Sequence, residues 1–411
     1  MSPTPWITAV IVVLTLAGVA FGRYPIIKSN RTTIALLGVA LLLIFGQVRF
    51  DELPAYVDFD TLFLLFSMMI INANLKLAGF FTLAGRALIK LARTPRVFLA
   101  LEILLAGVLS ALFLNDTVCL MFAPFLITLT DRLKRNPLPY LIALATAANI
   151  GSTATLTGNP QNMIIGIASG IPYLNFTLAL APVAFMSMGI IWLVLIWLYP
   201  REFRKSQTFE AVDDDGEPVS RPLLIKSSLV ALGLMVAFLA GAPIALAAFL
   251  AACLLLVTRR HAPHVVFAEF DWSLLVFFAA LFVVSGSLES SGVTRSLINL
   301  QQLTAGANLI NLTVVTTVLS NLVSNVPAVL LLKPVAGGMA NPTSAWLAIA
   351  AASTLAGNLT LLGSVANLIV AETARRWRIE IGFWEYTRSG FIITILSLII
   401  AVAWLGLTHP L

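Results

Sequence analysis

The chain has 411 residues, 59% of them hydrophobic and 11% charged, with a formal net charge of +6. Soluble domains carry about 25% charged residues. A mean hydropathy of +0.96, with apolar runs long enough to cross a bilayer recurring from end to end, excludes a soluble protein with one anchor. The excess of basic residues reads as topology-setting, not as a nucleic-acid footprint, and Cys119 and Cys253 suggest no disulfide framework.

The first apolar run lacks a basic leader and a small-residue cleavage site, so it reads as a retained helix and not a signal peptide. Apolar spans fall at 6–22, 32–48, 59–77, 97–114, 118–130, 140–171 and 176–199, and then at 224–240, 243–258, 270–288, 308–323, 328–340, 344–376 and 390–407. Asp60 and Asp271 each follow Phe at a span start and read as N-caps. Arg86, Lys90 and Arg93 stand at i, i+4, i+7, one polar stripe on an otherwise apolar helix lying in the membrane interface. Arg295, Asn299 and Gln302 repeat that spacing. Such helices are either ordinary anchors or connectors between a moving and a fixed part. Glu102, near the mouth of the 97–130 segment, has basic residues nearby with which to pair. The polar insert REFRKSQTFEAVDDDGEPVSRP (201–222) reads as a solvated linker, with no chemistry attached to its aspartates.

The halves on either side of that linker resemble each other. DFDTLFLLFSMMIINANLKLAG (from 58) matches EFDWSLLVFFAALFVVSGSLESSG (from 269). LFLNDTVCLMFAPF (112–125) matches LVSNVPAVLLLKPV (322–335), pairing Asn115 with Asn325 and Pro124 with Pro334. ANIGSTATLTGNPQNMIIG (148–166) matches AGNLTLLGSVANLIV (356–370), pairing Thr155 with Thr360, Gly158 with Gly363 and Asn162 with Asn367. Three matches in the same order point to internal duplication, a common plan of secondary transporters.

The fold expected is an all-α polytopic membrane protein of about ten transmembrane helices plus two re-entrant hairpins and discontinuous helices. The first repeat (1–200) holds a hairpin at 97–130 and a broken helix at 140–171. A cytoplasmic linker (201–222) follows. The second repeat (223–411) holds a hairpin at 308–340 and a broken helix at 344–376. Five spans per half is an odd number, so the repeats are inverted. Basic flanks at 85–96 and 131–136 place the entrance of the first hairpin in the cytoplasm. The second hairpin then enters from outside, and both termini lie outside the cell (inner) membrane.

Four polar breaks interrupt the apolar sequence: 115–117, 149–162, 324–327 and 358–367. Non-helical backbone at membrane depth survives only where protein buries it or a wet cavity meets it. Half-helix N-termini offer unpaired N–H groups to oxygen-rich or anionic ligands. Half-helix C-termini suit Na⁺ or protonated groups. Gly158-Asn159-Pro160 reads as a helix restart with Asn159 as N-cap, and Gly363-Ser364 as its counterpart. The alternative is that small and polar residues simply pack helices closely. An enzyme is disfavoured, because His261, His264 and His409 lie in loops or at the terminus, and no metal-ligand spacing falls at membrane depth. No cofactor is implied. A passive channel fits inverted broken helices less well than alternating access does.

FLNDTVCLMFAP, ANIGSTATLTGNPQNMIIG, SNVPA and GNLTLLGSVANLIVAE resemble the ion transporter superfamily that includes arsenite/antimonite permeases of the ArsB type. Its relatives include NhaD-type Na⁺/H⁺ antiporters and divalent-anion/Na⁺ symporters. The resemblance covers about residues 55–400. It implies that hairpin tips and broken helices meet near the midplane around substrate and coupling ion. The tip role falls on Asn115, Asp116, Thr117, Ser324 and Asn325. The broken-helix role falls on Asn149, Gly151, Ser152, Thr153, Thr155, Asn159 and Asn162, and on Asn358, Thr360, Gly363, Ser364 and Asn367.

The carboxylate symporters of that superfamily resemble each other in a Ser-Asn-Thr tip in both halves. Here the tips are Asn-Asp-Thr and Ser-Asn-Val-Pro. The added carboxylate disfavours a dianion and favours a neutral or cationic ligand, or proton coupling through Asp116; an ionisable group at membrane depth is a functional candidate by default. Capping of the following half-helix is the alternative role for Asp116. Lys333 and Glu372 are further proton-coupling candidates, Lys333 as a counter-charge to Asp116 or Glu372, or else snorkelling outward. Glu372 also stands where it can pair with Arg375 or Arg376. Cys119 reads as core, since one thiol makes no thiolate site for trivalent arsenic. The resemblance implies arsenite or antimonite efflux with H⁺ (or Na⁺) as coupling ion, in a lipid bilayer, with a cytoplasmic ATPase as a partner to consider. Na⁺-coupled carboxylate or sulfate transport and Na⁺/H⁺ antiport are the alternatives.

Overall fold

The computed structural model describes residues 5–21, 30–203, 219–257, 262–291 and 309–411. The sequence readings at 213–215, 261 and 295–302, and most of the linker, lie outside the described residues. The first half contains α1 (Pro5–Phe21), α2 (Arg31–Ile44), α3 (Leu53–Tyr56), α4 (Phe59–Leu77), α5 (Phe80–Leu91), α6 (Pro95–Leu112), α7 (Asn115–Arg132), α8 (Pro137–Ser152), α9 (Pro160–Ser169), α10 (Tyr173–Leu198) and α11 (Pro200–Phe203). The second contains α12 (Arg221–Leu239), α13 (Ile244–Leu256), α14 (Pro263–Ala268), α15 (Trp272–Ser290), α16 (Leu309–Val323), α17 (Asn325–Gly337), α18 (Pro342–Ala356), α19 (Val365–Arg376) and α20 (Phe383–Thr408). Six of them, α4, α6, α10, α12, α15 and α20, are long and apolar enough to cross a membrane. The all-α, polytopic expectation holds.

Local sequence sets the helix starts. Prolines 95, 137, 160 and 342 stand in first turns, where their missing N–H costs nothing. Asp271 caps α15 by accepting from the Leu274 N–H at 3.2 Å, as the sequence suggests. At α4 the sequence reading needs correction: the cap is Asp58, which accepts from the Thr61 N–H at 3.0 Å. Asp60 is an exposed residue of the first turn, already inside the helix.

Both expected hairpin segments are helix pairs, α6–α7 and α16–α17, and both expected broken helices are broken, at 153–159 and 357–364. The halves repeat their internal contacts. α8 packs against α6, α7 and α10, while α18 packs against α16, α17 and α20. Across the halves, α7 meets α19 and α9 meets α17. From Pro139 to the end of α8, and from Ser344 to the end of α18, every residue is buried. These helices are enclosed on all sides, as helices apolar all round must be. Gly151 permits this closeness, because a Cβ there would lie 2.1 Å from the Gly107 carbonyl oxygen of α6. At the periphery α2 packs on α1 and α15, and α4 on α13. α12 turns Ile225, Leu229, Leu232 and Val236 outward, the apolar face a lipid solvent accepts.

Candidate functional site

The breaks leave carbonyls without helical partners, and asparagine amides take them up. Asn162 Nδ2 donates to the Ser152 and Thr155 carbonyls at 3.1 and 2.9 Å. Asn159, the N-cap of α9, accepts from the Asn162 N–H at 2.9 Å, and its own amide donates to Ser152 Oγ at 2.9 Å and to Thr354 Oγ1 at 3.3 Å. In the second half Asn367 Nδ2 donates to the Gly357 and Thr360 carbonyls at 2.8 and 3.1 Å, and Ser364 caps α19.

Asn149 ties the two breaks together. Its Oδ1 accepts from Asn115 Nδ2 and from Ser364 Oγ, both at 3.0 Å. Its Nδ2 donates to Asn358 Oδ1 at 2.8 Å and to Asn367 Oδ1 at 3.0 Å. Two donors and two acceptors are thus all used. Asn358 passes the link on to the Thr146 carbonyl at 3.1 Å.

Above this network lies a cavity of 370 Å³. Four half-helices aim their N-termini at it: α7 with Asn115 and Asp116, α9 with Pro160 and Gln161, α17 with Ser324 and Asn325, and α19 with Ser364 and Val365. The first turns of α2 and α15 close the far wall with Arg31 and Asp271. Each helix N-terminus is worth about half a positive charge. Asp116 and Asp271 oppose that field and Arg31 adds to it, with both groups in electrostatic reach of Asp116. The chamber therefore offers N–H and amide donors for oxygen atoms, together with a carboxylate able to exchange a proton.

Of the residues named from sequence, Asn115, Asp116, Ser324, Asn325 and Ser364 line the cavity. The others are placed differently, for a physical reason. Asn149, Ser152, Asn159, Asn358, Asn367 and the amide nitrogen of Asn162 are engaged with one another and with broken-helix carbonyls, while Asn162 Oδ1 stays unbonded. Thr153 Oγ1 donates to the Asn149 carbonyl at 3.3 Å, and Thr155 Oγ1 to the Ala111 carbonyl. Thr117 accepts from Asn72 Nδ2 at 3.4 Å. Thr360 contributes its carbonyl, and Gly151 and Gly363 serve close backbone approach.

Four charged residues named from sequence are placed as follows. Lys333 is exposed and stands apart from the cavity, so it is no counter-charge to Asp116. Glu372 pairs with Arg375 at 2.7 Å on the exposed end of α19, the local ion pair that its spacing suggests. Among the described residues Glu102 finds no basic partner: it is buried with both carboxylate oxygens unbonded. Asp116 is not a cap, since it lies inside α7 and Leu114 holds the cap position. Sequence reasoning missed Arg31, Asp271 and Gln161 as cavity residues. A basic residue at a span start reads as a topology signal and an Asp there as a cap; only the tertiary approach of α2 and α15 to α7 reveals the second use.

The citrate transporter family profile, CitMHS, matches residues 10–356. The rice (Oryza sativa) silicon efflux transporter LSI3 is 31% identical, over 94% of each chain. An arsB-named transporter of Dictyostelium discoideum is 24% identical, over 97% of this chain and 92% of its own. Among solved structures, the YdaH transporter of Alcanivorax borkumensis superposes with a TM-score of 0.59 at 14% identity, covering 99% of both chains. The MtrF efflux pump of Neisseria gonorrhoeae gives 0.59 at 13%, covering 98% of this chain and 94% of its own. These likenesses show a transporter fold. With the profile spanning most of the sequence and a relative above 30% identity over nearly full length, the chain belongs to the CitMHS citrate transporter family, a family of secondary membrane transporters and not of enzymes.

Proposed function

We propose that this chain exports small neutral hydroxides of metalloids, arsenous and antimonous acid and by the same chemistry silicic acid, in exchange for protons taken up through Asp116. The observation that carries the reading is Asp116 itself, set in the cavity where four half-helix N-termini converge. A metalloid hydroxide is uncharged at neutral pH and presents several O–H groups. Helix-end N–H groups and the amides of Asn115, Gln161 and Asn325 suit its oxygens without a charged clamp. The rice relative named for silicon efflux and the arsB-named relative support this substrate class.

The family's name and Arg31 favour a second reading, a carboxylate substrate held by a guanidinium. Against it, Asp116 and Asp271 share the cavity and repel a polyanion. The proposal includes two inverted repeats working by alternating access, with the α6–α7 pair entered from the cytoplasm, both termini outside and the cell membrane as location. A cytoplasmic ATPase is an optional addition, since a proton gradient suffices to drive the cycle.

Everted membrane vesicles bearing the protein test this. They are expected to accumulate arsenite and silicic acid when the lumen is made acidic. Accumulation of citrate alone, with neither metalloid moving, would sink the first reading in favour of the second.

A further inference from the structure

Glu102 has no place in the site just described. It sits mid-way along α6, 1% exposed, and neither carboxylate oxygen has a hydrogen-bond partner among the described residues. A buried carboxylate without a partner is among the costliest groups a protein can hold, and the ordinary relief is to bind a proton. An apolar residue would fill the same space at no such cost, so a carboxyl here asks for a use.

Its surroundings form a graded path. On one side lies Tyr140 of α8, with Glu102 in electrostatic reach of its phenol. The Tyr140 hydroxyl donates to Glu202 Oε1 at 3.0 Å, and Arg135 Nη1 approaches the same oxygen at 3.9 Å. On the other side, the buried face of α6 runs Glu102, Ala106, Ser110 at i, i+4, i+8, which spans about 12 Å along the helix. Ser110 Oγ is buried and unbonded, and so is Asn115 Oδ1, next to Asp116. The matching pair in the second half is closed, with Ser320 Oγ 2.7 Å from Asn325 Oδ1. The second half carries unbonded atoms too, Thr316 Oγ1 and Asn321 Oδ1 on α16, but there Leu312 stands where the first half has Glu102. Other ionisable groups on elements packed against α6 are Arg86 and Lys90 on α5, Asp116, Cys119, Asp131 and Arg132 on α7, Tyr173 on α10 and Arg201 on α11. None neutralises Glu102, whose oxygens are unbonded.

We infer that Glu102 is a second proton-binding site of the transport cycle, separate from Asp116 and loaded from the Tyr140–Glu202 end. The carboxylate takes a proton from water to form the acid and returns it to water later; only the O–H bond changes. The inference rests on the proton-exchange reading for its role in transport, while the binding site itself does not.

The test has two arms. Infrared spectra of the purified wild-type protein in lipid vesicles at neutral pH are expected to show a carboxylic-acid C=O band that shifts in D₂O and is lost in Glu102→Gln. A band absent from the wild type, unchanged in the variant, or inert to D₂O overturns the inference whatever the substrate. In everted vesicles with arsenite as probe, each coupled proton multiplies the accumulation ratio about tenfold per pH unit. Glu102→Gln and Glu102→Leu are each expected to lose one such factor, and Glu102→Asp to keep it. Full accumulation in the Gln and Leu variants overturns the role in transport. A wild type that moves no arsenite indicts the substrate reading and leaves the infrared result standing. If Glu102→Gln fails to reach the membrane, Glu102→Leu, which suits an apolar surrounding, supplies the same comparison.

Discussion

Asn162 and Asn367 make the same pair of bonds in the two halves of the chain. Each amide donates to the carbonyls ten and seven residues before it, Ser152 and Thr155 in one case and Gly357 and Thr360 in the other. A broken helix survives at membrane depth only if its freed carbonyls find donors, and one asparagine reaches both. Removing the amide leaves one carbonyl unpaired in each half, Thr155 and Gly357, at about 1–3 kcal/mol, because Ser152 keeps the Asn159 amide and Thr360 keeps the Gly363 N–H. Asn162→Ala and Asn367→Ala are each expected to lower the unfolding temperature in detergent markedly and by similar amounts. A loss in one half with none in the other would show that the two breaks are not held alike.

Asn149 lies between these two, and its demand is for an amide and not merely a polar group. Its Nδ2 faces two acceptors, Asn358 Oδ1 and Asn367 Oδ1. Aspartate has nearly the same shape but no donor there when ionised. Asn149→Asp is therefore expected to be at least as destabilising as Asn149→Ala. The comparison is made by fluorescence-detected size-exclusion chromatography after a heating series. An aspartate variant as stable as the wild type would contradict the donor assignment.

The breaks and their caps were legible in the sequence because glycine, asparagine and proline in an apolar run have few other uses. The pairing of Asn162 with Asn367 and of Thr155 with Thr360 was legible because the duplication preserves spacing. Which asparagines face the cavity was not, since a side chain that holds a carbonyl and one that awaits a ligand look alike in one dimension. Asn149 and Asn115 differ only in how many neighbours reach them: Asn149 has its full set of partners, and Asn115 keeps an unbonded Oδ1 in the cavity wall. Arg31 and Asp271 were hidden for the same reason, their role depending on contacts between distant helices. Glu372 and Lys333 stood out as charges in apolar sequence, yet the end of α19 and the outer side of α17 let both reach the exterior.

Ser324 stores strain beside the cavity. Its backbone sits at φ +79° and ψ 159°, a region almost reserved for glycine, and its side chain makes no capping bond to α17. Such a residue costs about 1–3 kcal/mol. Glycine would relieve that strain, with about 0.5–1 kcal/mol returned through its greater freedom when unfolded. Ser324→Gly is thus expected to stabilise the protein by about 1 kcal/mol, read as a small rise in unfolding temperature. Because Ser324 lines the cavity, a loss of transport in that more stable variant would assign its hydroxyl to the ligand. A fall in stability would mean that the serine is held by contacts that outweigh the strain.

Asp116 carries the proposed exchange, and one substitution separates coupling from binding. Asparagine keeps the size and an oxygen at the cavity wall but cannot take up and release a proton. If Asp116 moves the proton, Asp116→Asn is expected to lose arsenite accumulation driven by a pH gradient, by tenfold or more. It is expected to keep arsenite-for-arsenite counterflow, which needs binding and alternating access but no net proton. Loss of both activities in a well-folded variant would instead make Asp116 a substrate ligand. Retention of gradient-driven accumulation would remove it from the mechanism and turn attention to Asp271, the other carboxylate of the same cavity.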